Sequence, residues 1–366
     1  MMRIPVYQPD LSGNEKKYVT QCLDSTWISS KGEFIDRFEN EFATQIGGPY
    51  AIGVCNGTVA LHLALVALGI GPGDEVIVPS FTYIASVNAI AYTGARPVFC
   101  DSLPDTWQMD PDHVHRLVGP KTKAIMVVHL YSGACDVGRL MEICSEFNLK
   151  MIEDCAESFG TTVNGRHVGT FGDIGTFSFF GNKTITTGEG GMLTCQNSEL
   201  AERIRLLRGQ GLAKNREYWH TEIGYNYRIT NICAAIGLAQ LERSSTIIQA
   251  KTALADRYSH ALRGLPLCLQ KIGDGVSTAH WMVTVMVDSP DDRDPLRKHL
   301  DLAGIETRPA FHPVHTMPMY HAPDYPLPVA LELCIRGINL PSWHKISDSD
   351  FERITHAIHS FYKGVV

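Results

Sequence analysis

The sequence predicts an α/β fold: a large domain built on a mainly parallel sheet, followed by a smaller α+β domain. Three observations carry this. Short, continuous apolar runs alternate with segments of helical spacing from Tyr50 to Cys195. Such runs cannot belong to half-exposed strands, so both faces of the sheet must be covered. The pattern changes after Gly264, and 366 residues exceed what one hydrophobic core usually spans.

The elements follow in order. Residues 33–46 place Phe34, Ile35, Phe38 and Phe42 on one helical face. A strand at 50–55 runs into Asn56-Gly57-Thr58 and a helix at 59–68, which Gly69-Ile70-Gly71-Pro72-Gly73 stops. Buried strands are expected at 75–79, 97–101, 124–130 and 150–154, with a helix at 139–147 before the last. Strands at 176–180 and 192–195 bring the count to seven. From Asn231 to about Tyr258 the spacing predicts one long helix. Beyond Gly264 a strand is expected at 280–287, a helix at 293–303 and another strand after Gly304-Ile305-Glu306-Thr307-Arg308-Pro309. The division falls near residue 245, giving a large domain at 1–245 and a small domain at 246–366.

Composition narrows the function. The chain is 44% hydrophobic and 19% charged, as a globular protein should be. Its net charge is −7, with no long run of Lys or Arg, so nucleic acid and anionic membranes are not expected partners. The first residues hold no apolar core of signal-peptide length, and no run reaches the roughly 18 residues of a membrane span. A cytoplasmic protein is expected. The ten cysteines are scattered, no two in a CxxC spacing. They read as reduced, buried residues, and no metal site is expected.

Three segments carry chemistry. Phe177-Ser178-Phe179-Phe180-Gly181-Asn182-Lys183 is an aromatic strand that delivers a lysine to a turn ending in Gly188-Glu189-Gly190-Gly191. A lysine that acts as a nucleophile needs a partly dry pocket so that it can lose its proton, and glycines let the backbone approach a bulky ligand. The plain alternative is a surface lysine in a hairpin. Asp154 ends a buried strand, where α/β enzymes place ligand groups; it could equally cap the next helix. Asn56-Gly57-Thr58 opens a helix, offering N–H groups and a hydroxyl to a phosphate, or forming an ordinary capped turn. The Gly69 to Gly73 run follows a helix and precedes a strand, the wrong order for a dinucleotide loop. Together the three segments supply a phosphate cradle, a carboxylate for a pyridinium nitrogen and a lysine for an imine. These are the parts a pyridoxal-phosphate (PLP) enzyme needs.

With these residues in view, the chain resembles the sugar-nucleotide aminotransferases of the aspartate-aminotransferase fold over nearly its whole length. Thr26-Trp27-Ile28-Ser29-Ser30, the segment from Phe177 to Gly191, Gly224-Tyr225-Asn226-Tyr227-Arg228 and the segment from Arg308 to Pro318 carry the likeness. Within that family the perosamine-forming branch is the most similar. The resemblance implies a PLP-dependent transferase fold in which Lys183 binds the cofactor covalently and Asp154 pairs with its pyridine nitrogen. Tyr83 would stack on its ring, and Gly57, Thr58 and Ser178 would bind its phosphate. Asn226 would reach the cofactor of a partner subunit, which implies a homodimer with shared sites. Glu157 stands where many relatives carry Gln or His beside the phenolic oxygen of PLP. Ser29, Arg228, His312 and His315 would face the nucleotide-sugar; the alternative for the histidines is a structural loop. The implied substrates are glutamate and GDP-4-keto-6-deoxymannose, aminated at C4 for a surface polysaccharide such as O-antigen. Other readings are a dTDP- or UDP-linked keto sugar, a sugar dehydratase, whose family members lack the lysine, and a regulator without activity. Tyr131-Ser132-Gly133-Ala134 departs from the commoner Tyr-Gly start of the family.

Overall fold

The computed structural model describes residues 3–321 and 326–364. Five strands come in turn: β1 (Tyr50–Val54), β2 (Glu75–Pro79), β3 (Arg96–Cys100), β4 (Thr122–Val128) and β5 (Lys150–Asp154). The short β6 (Thr162–Val163) and β7 (Arg166–His167) pair outside the main sheet, and β8 (Ile174–Ser178) and β9 (Gly191–Cys195) complete it. The seven strands lie in the order β1-β9-β8-β5-β4-β2-β3. From β3 through β2, β4 and β5 to β8 every pairing is parallel, and β9 runs antiparallel to both neighbours. The expected seven-stranded, mainly parallel sheet is therefore present.

Eight helices accompany the sheet: α1 (Glu15–Asp24), α2 (Glu33–Ile46), α3 (Gly57–Ala67), α4 (Ile84–Tyr92), α5 (Pro111–Leu117), α6 (Val137–Phe147), α7 (Ser198–Arg208) and α8 (Asn231–Leu241). Side chains alternate across the sheet and so serve two cores. Val76 and Val78 pack with α3, α4 and α7, whereas Ile77 packs with α5 and α6 on the other face. Helices α1, α2 and α8 cover that second face over Phe177 and Met192. Both faces are dry, which is why the strands read as unbroken apolar runs.

The C-terminal part contains α9 (Ser244–Ala261), β10 (Leu267–Leu269), β11 (Val276–Ser277), β12 (Val283–Val287), α10 (Pro290–Leu302), β13 (Arg308–Pro309), α11 (Pro328–Arg336), β14 (Gly337–Leu340) and α12 (Asp348–Lys363). An antiparallel sheet, β10-β12-β14-β13, forms its core with α9, α10 and α12. Strand β12 starts at Val283 rather than at residue 280, because His280 takes a left-handed φ of 48°. The long helix expected from Asn231 is two helices. Nothing in the sequence breaks it; contacts from the N-terminal segment do. Glu242 accepts from Tyr18 Oη at 2.6 Å and Asn14 Nδ2 at 2.7 Å, and Arg243 donates to Asp10 Oδ2 at 2.6 Å. We propose the domain division at this break, near residue 245. Among the described residues no helix is long and apolar enough to cross a membrane, and all ten cysteines carry free thiols.

Tyr7 of the larger part packs against a buried lysine of the smaller. Lys251 on α9 is 1% exposed, donates to Ser342 O at 2.6 Å and lies 5.2 Å from the Tyr7 ring. Burial pushes its amine down to about 7. An unfolded lysine keeps a pKa near ~10.4. Between these values the unfolded chain binds a proton that the folded chain does not, so stability rises with pH from about 7 to about 10. Lys251→Met should remove this slope. Thermal melts should show wild type gaining on the variant as pH rises through that window; a constant difference would return Lys251 to an ordinary pKa.

Candidate active site

Strands β1, β2, β4, β5 and β8 all run in one direction, so their C-terminal ends share one edge of the sheet, and the turns there carry most of the expected residues. After β1, Asn56 caps α3 by accepting from Val59 N at 2.9 Å. The N–H groups of Gly57 and Thr58 have no acceptor inside the helix and carry the positive end of its dipole. Gly57 abuts Ser178, the last residue of β8. A Cβ on Gly57 would lie 2.7 Å from Ser178 Cβ and 3.0 Å from its Oγ. Only glycine lets the helix start meet that hydroxyl, and the result is a cradle of donors suited to a phosphate.

Asp154 ends β5 and is buried. Its Oδ2 accepts from Ser86 Oγ on α4 at 2.7 Å, and its Oδ1 from Ala156 N at 3.1 Å. Burial nevertheless raises its pKa, outweighing these bonds and the field of Lys183. Lys183 stands on the turn after β8. Its carbonyl accepts from Tyr7 Oη at 2.5 Å, and the carbonyl of Asn182 accepts from Trp281 Nε1 at 2.6 Å. The Lys183 amine lies 4.1 Å from the centroid of the Trp281 ring and 3.7 Å from Glu157 Oε1. Burial lowers the pKa of this amine, and the Glu157 and Asp154 carboxyls work against that. Burial lifts the Glu157 carboxyl to about 7, against Lys183 and the N–H of Tyr131, which donates to Oε2 at 3.0 Å. An amine biased toward its neutral form is a nucleophile, and a carboxyl near neutrality can hold or release a proton.

An aromatic wall closes one side. The Tyr131 ring stacks between Trp281, at 6.3 Å and 8°, and Phe311, at 5.4 Å and 11°. Tyr83 leads into α4, exposed, with its ring 5.7 Å from Phe311.

Behind Asp154, His129, Glu153 and Cys155 lie close enough to suggest a metal set. Their hydrogen bonds oppose it. Glu153 Oε1 accepts from Phe171 N and Gly172 N, both at 2.7 Å, and Oε2 from Gly169 N at 2.8 Å and His129 Nε2 at 3.1 Å. His129 Nδ1 is met by Cys135 N at 3.2 Å and Nε2 by Glu153, so both ring nitrogens are already engaged. The carboxylate has no lone pair directed at an ion.

The remaining expected residues are more scattered. Ser29 and Asn226 are exposed. Arg228 bridges to β1, and its buried Nε has no partner. His312 is exposed, its Nδ1 3.3 Å from Cys334 Sγ. His315 is held on one side by a structural bond. Its ring is buried, its Nδ1 2.6 Å from Ser80 Oγ, and it braces the turn that leads to Tyr83. Sequence reasoning missed Ser86, Tyr7 and Trp281. Ser86 lies one helical turn after Tyr83, a spacing that could have found it. Nothing local ties Tyr7 or Trp281 to Lys183.

The sequence profile of the DegT/DnrJ/EryC1/StrS aminotransferases matches residues 9–359. A GDP-perosamine synthase of Escherichia coli O157:H7 is 55% identical, with 99% of each chain covered. A GDP-perosamine synthase of Vibrio cholerae is 48% identical, covering 99% of this chain and 100% of its own. Among solved structures, a Streptococcus pneumoniae protein described as a sugar aminotransferase, in a PLP form, superposes with a TM-score of 0.94. It is 28% identical, and all of both chains are covered.

The cradle itself can be tested. Gly57→Ala should cost roughly 1–3 kcal/mol, the usual range for forcing extra carbon into packed structure. Ser178→Gly in the same chain should recover most of this. Thermal melts of the four proteins form a double-mutant cycle, and strictly additive losses would separate the start of α3 from Ser178.

Proposed function

The chain belongs to the DegT/DnrJ/EryC1/StrS aminotransferase family, and from that premise we propose that it moves the amino group of glutamate to C4 of GDP-4-keto-6-deoxymannose, giving GDP-perosamine. One observation carries the reading: a buried lysine amine faces two buried carboxyls beside an anion cradle, in a chain 55% identical to a GDP-perosamine synthase along its length.

The residues fit pyridoxal phosphate, which when bound supplies an electron sink at the carbon that exchanges the amino group. Gly57, Thr58 and Ser178 hold the phosphate. Asp154 receives the pyridine nitrogen; its carboxyl, raised by burial, gains there the positive partner it lacks in the bare protein. Lys183 carries the cofactor, and its Nζ, when free, takes and returns the proton at the reacting carbon. Glu157 holds a proton toward the phenolic oxygen. Tyr83 covers the ring face.

Ser29, Arg228 and His312 face the nucleotide-sugar. A buried guanidinium N–H without an acceptor, as at Arg228 Nε, suits a diphosphate oxygen. Asn226 completes the phosphate site of a second copy of the chain in a homodimer. Its exposure supports this, as does that of Tyr218 and Ile223 nearby, each more than nine-tenths exposed. The enzyme then works in the cytoplasm, supplying an amino sugar for a surface polysaccharide.

Incubation with glutamate and a panel of GDP-, dTDP- and UDP-linked 4-keto sugars, read by mass spectrometry, tests the substrate. Amination should be confined to the GDP sugar; equal transfer to the others would move the chain to another branch. Lys183→Ala should abolish turnover and leave the melting temperature within a few degrees of wild type. Asp154→Asn should lose orders of magnitude in rate while the phosphate contacts still hold the cofactor. Mixed dimers of Lys183→Ala and Asn226→Ala subunits should regain part of the activity, and no recovery in verified mixed dimers would overturn the shared site.

A further inference from the structure

Ser132 has a backbone conformation in which glycine would be at ease. Its φ is 65°, directly after Tyr131 at 51°. A serine in this left-handed region carries strain that a glycine would not. It is also fully buried, so it does not serve solvent. What the chain gains is a hydroxyl that joins two segments, the loop after β5 and the segment before β12. Ser132 Oγ donates to Glu157 O at 2.7 Å and accepts from Trp281 N at 2.6 Å. The Ser132 carbonyl accepts from Thr161 Oγ1 at 3.0 Å and Thr278 Oγ1 at 2.8 Å.

The two residues tied by the hydroxyl are the two that touch the Lys183 amine. The Trp281 ring lies under Nζ, and Glu157 Oε1 lies beside it. The neighbouring Tyr131 N–H fixes the other Glu157 oxygen. We propose that Ser132 is a positioning residue for the Lys183 amine: one hydroxyl, held in place by a left-handed backbone, sets the main chains of Glu157 and Trp281 so that a carboxyl and an aromatic face meet the same nitrogen. Both partners favour the positive form of that nitrogen, the carboxyl by charge and the ring by its quadrupole. The proposal rests on Lys183 as the cofactor-bearing residue. Borohydride reduction of the loaded wild-type enzyme and peptide mass spectrometry test that premise separately, by locating the cofactor.

Ser132→Gly removes the hydroxyl and the backbone strain together, and Ser132→Ala removes the hydroxyl alone. The pH titration of visible absorbance in the loaded full-length enzyme reads the nitrogen that Lys183 contributes. In both variants its midpoint should fall by roughly half to one pH unit, the scale of one lost charge contact. The glycine variant should melt close to wild type. A glycine variant with the wild-type midpoint, or a raised one, would overturn the proposal and leave Ser132 as a plug in the turn. So would a shift in the alanine variant alone, which would assign the effect to strain. A glycine variant that melts far below wild type would make Ser132 a determinant of the fold and would also defeat it.

Discussion

The site depends on keeping one amine dry. Lys183 is the last residue of a turn that the large sheet delivers, yet the ring covering its nitrogen, Trp281, comes from the segment just before β12 in the smaller part. The carboxyl beside it, Glu157, comes from the loop after β5. Take the ring away and Lys183 opens to solvent as an ammonium ion, charged at neutral pH and unable to attack a carbonyl carbon; the carboxyl pulls the other way, toward the charged form, and only burial outweighs it. The packing of the two parts of the chain is therefore part of the chemistry. A bond across that joint, from Trp281 to Asn182, and one within the larger part, from Tyr7 to Lys183, fix the main chain of the turn rather than its side chain.

The large sheet was legible because burial on both faces leaves a simple signature. Residues 76–78 and 125–127 have no polar member, and no alternating pattern had to be read from them. Lys183, Asp154 and the Gly57 turn were legible because strand ends in a parallel sheet collect at one edge, whatever the distance along the chain. What the sequence hid came from contacts across long separations. The split between α8 and α9 is imposed by Asp10, Asn14 and Tyr18, residues over 200 positions away, and no glycine or proline announces it. The bond between His315 and Ser80 was hidden for a related reason. A histidine in a proline-rich loop has the same appearance whether it meets solvent or a buried serine hydroxyl far along the chain.

Two acids in one pocket take different parts because their surroundings differ. Asp154 has a hydroxyl and a backbone N–H and lies deep at the strand end, placed to meet a cationic ring. Glu157 has a backbone N–H and a lysine amine, and titrates near neutrality. The same burial acts on both, but its consequence depends on whether a permanent positive charge is brought to the carboxyl. His129 and the saturated Glu153 behind them form a polar floor that ties the loop after β7 beneath Asp154.

The N-terminal segment adds a consequence for the order of synthesis. Ile4 pairs with Ile305, Val6 O accepts from Ser342 N, and Tyr7 reaches both Lys183 and Lys251. The part of the chain that leaves the ribosome first is thus among the last to find its partners. Until the segment before β12 has been made, Trp281 is absent and the Lys183 turn has no roof. A nascent chain carries an ordinary lysine at that position, one that stays protonated and indifferent to the aldehydes of the cell. Reactivity toward a carbonyl is acquired only when segments far apart on either side of Lys183, those of Tyr7 and Trp281, close on its turn.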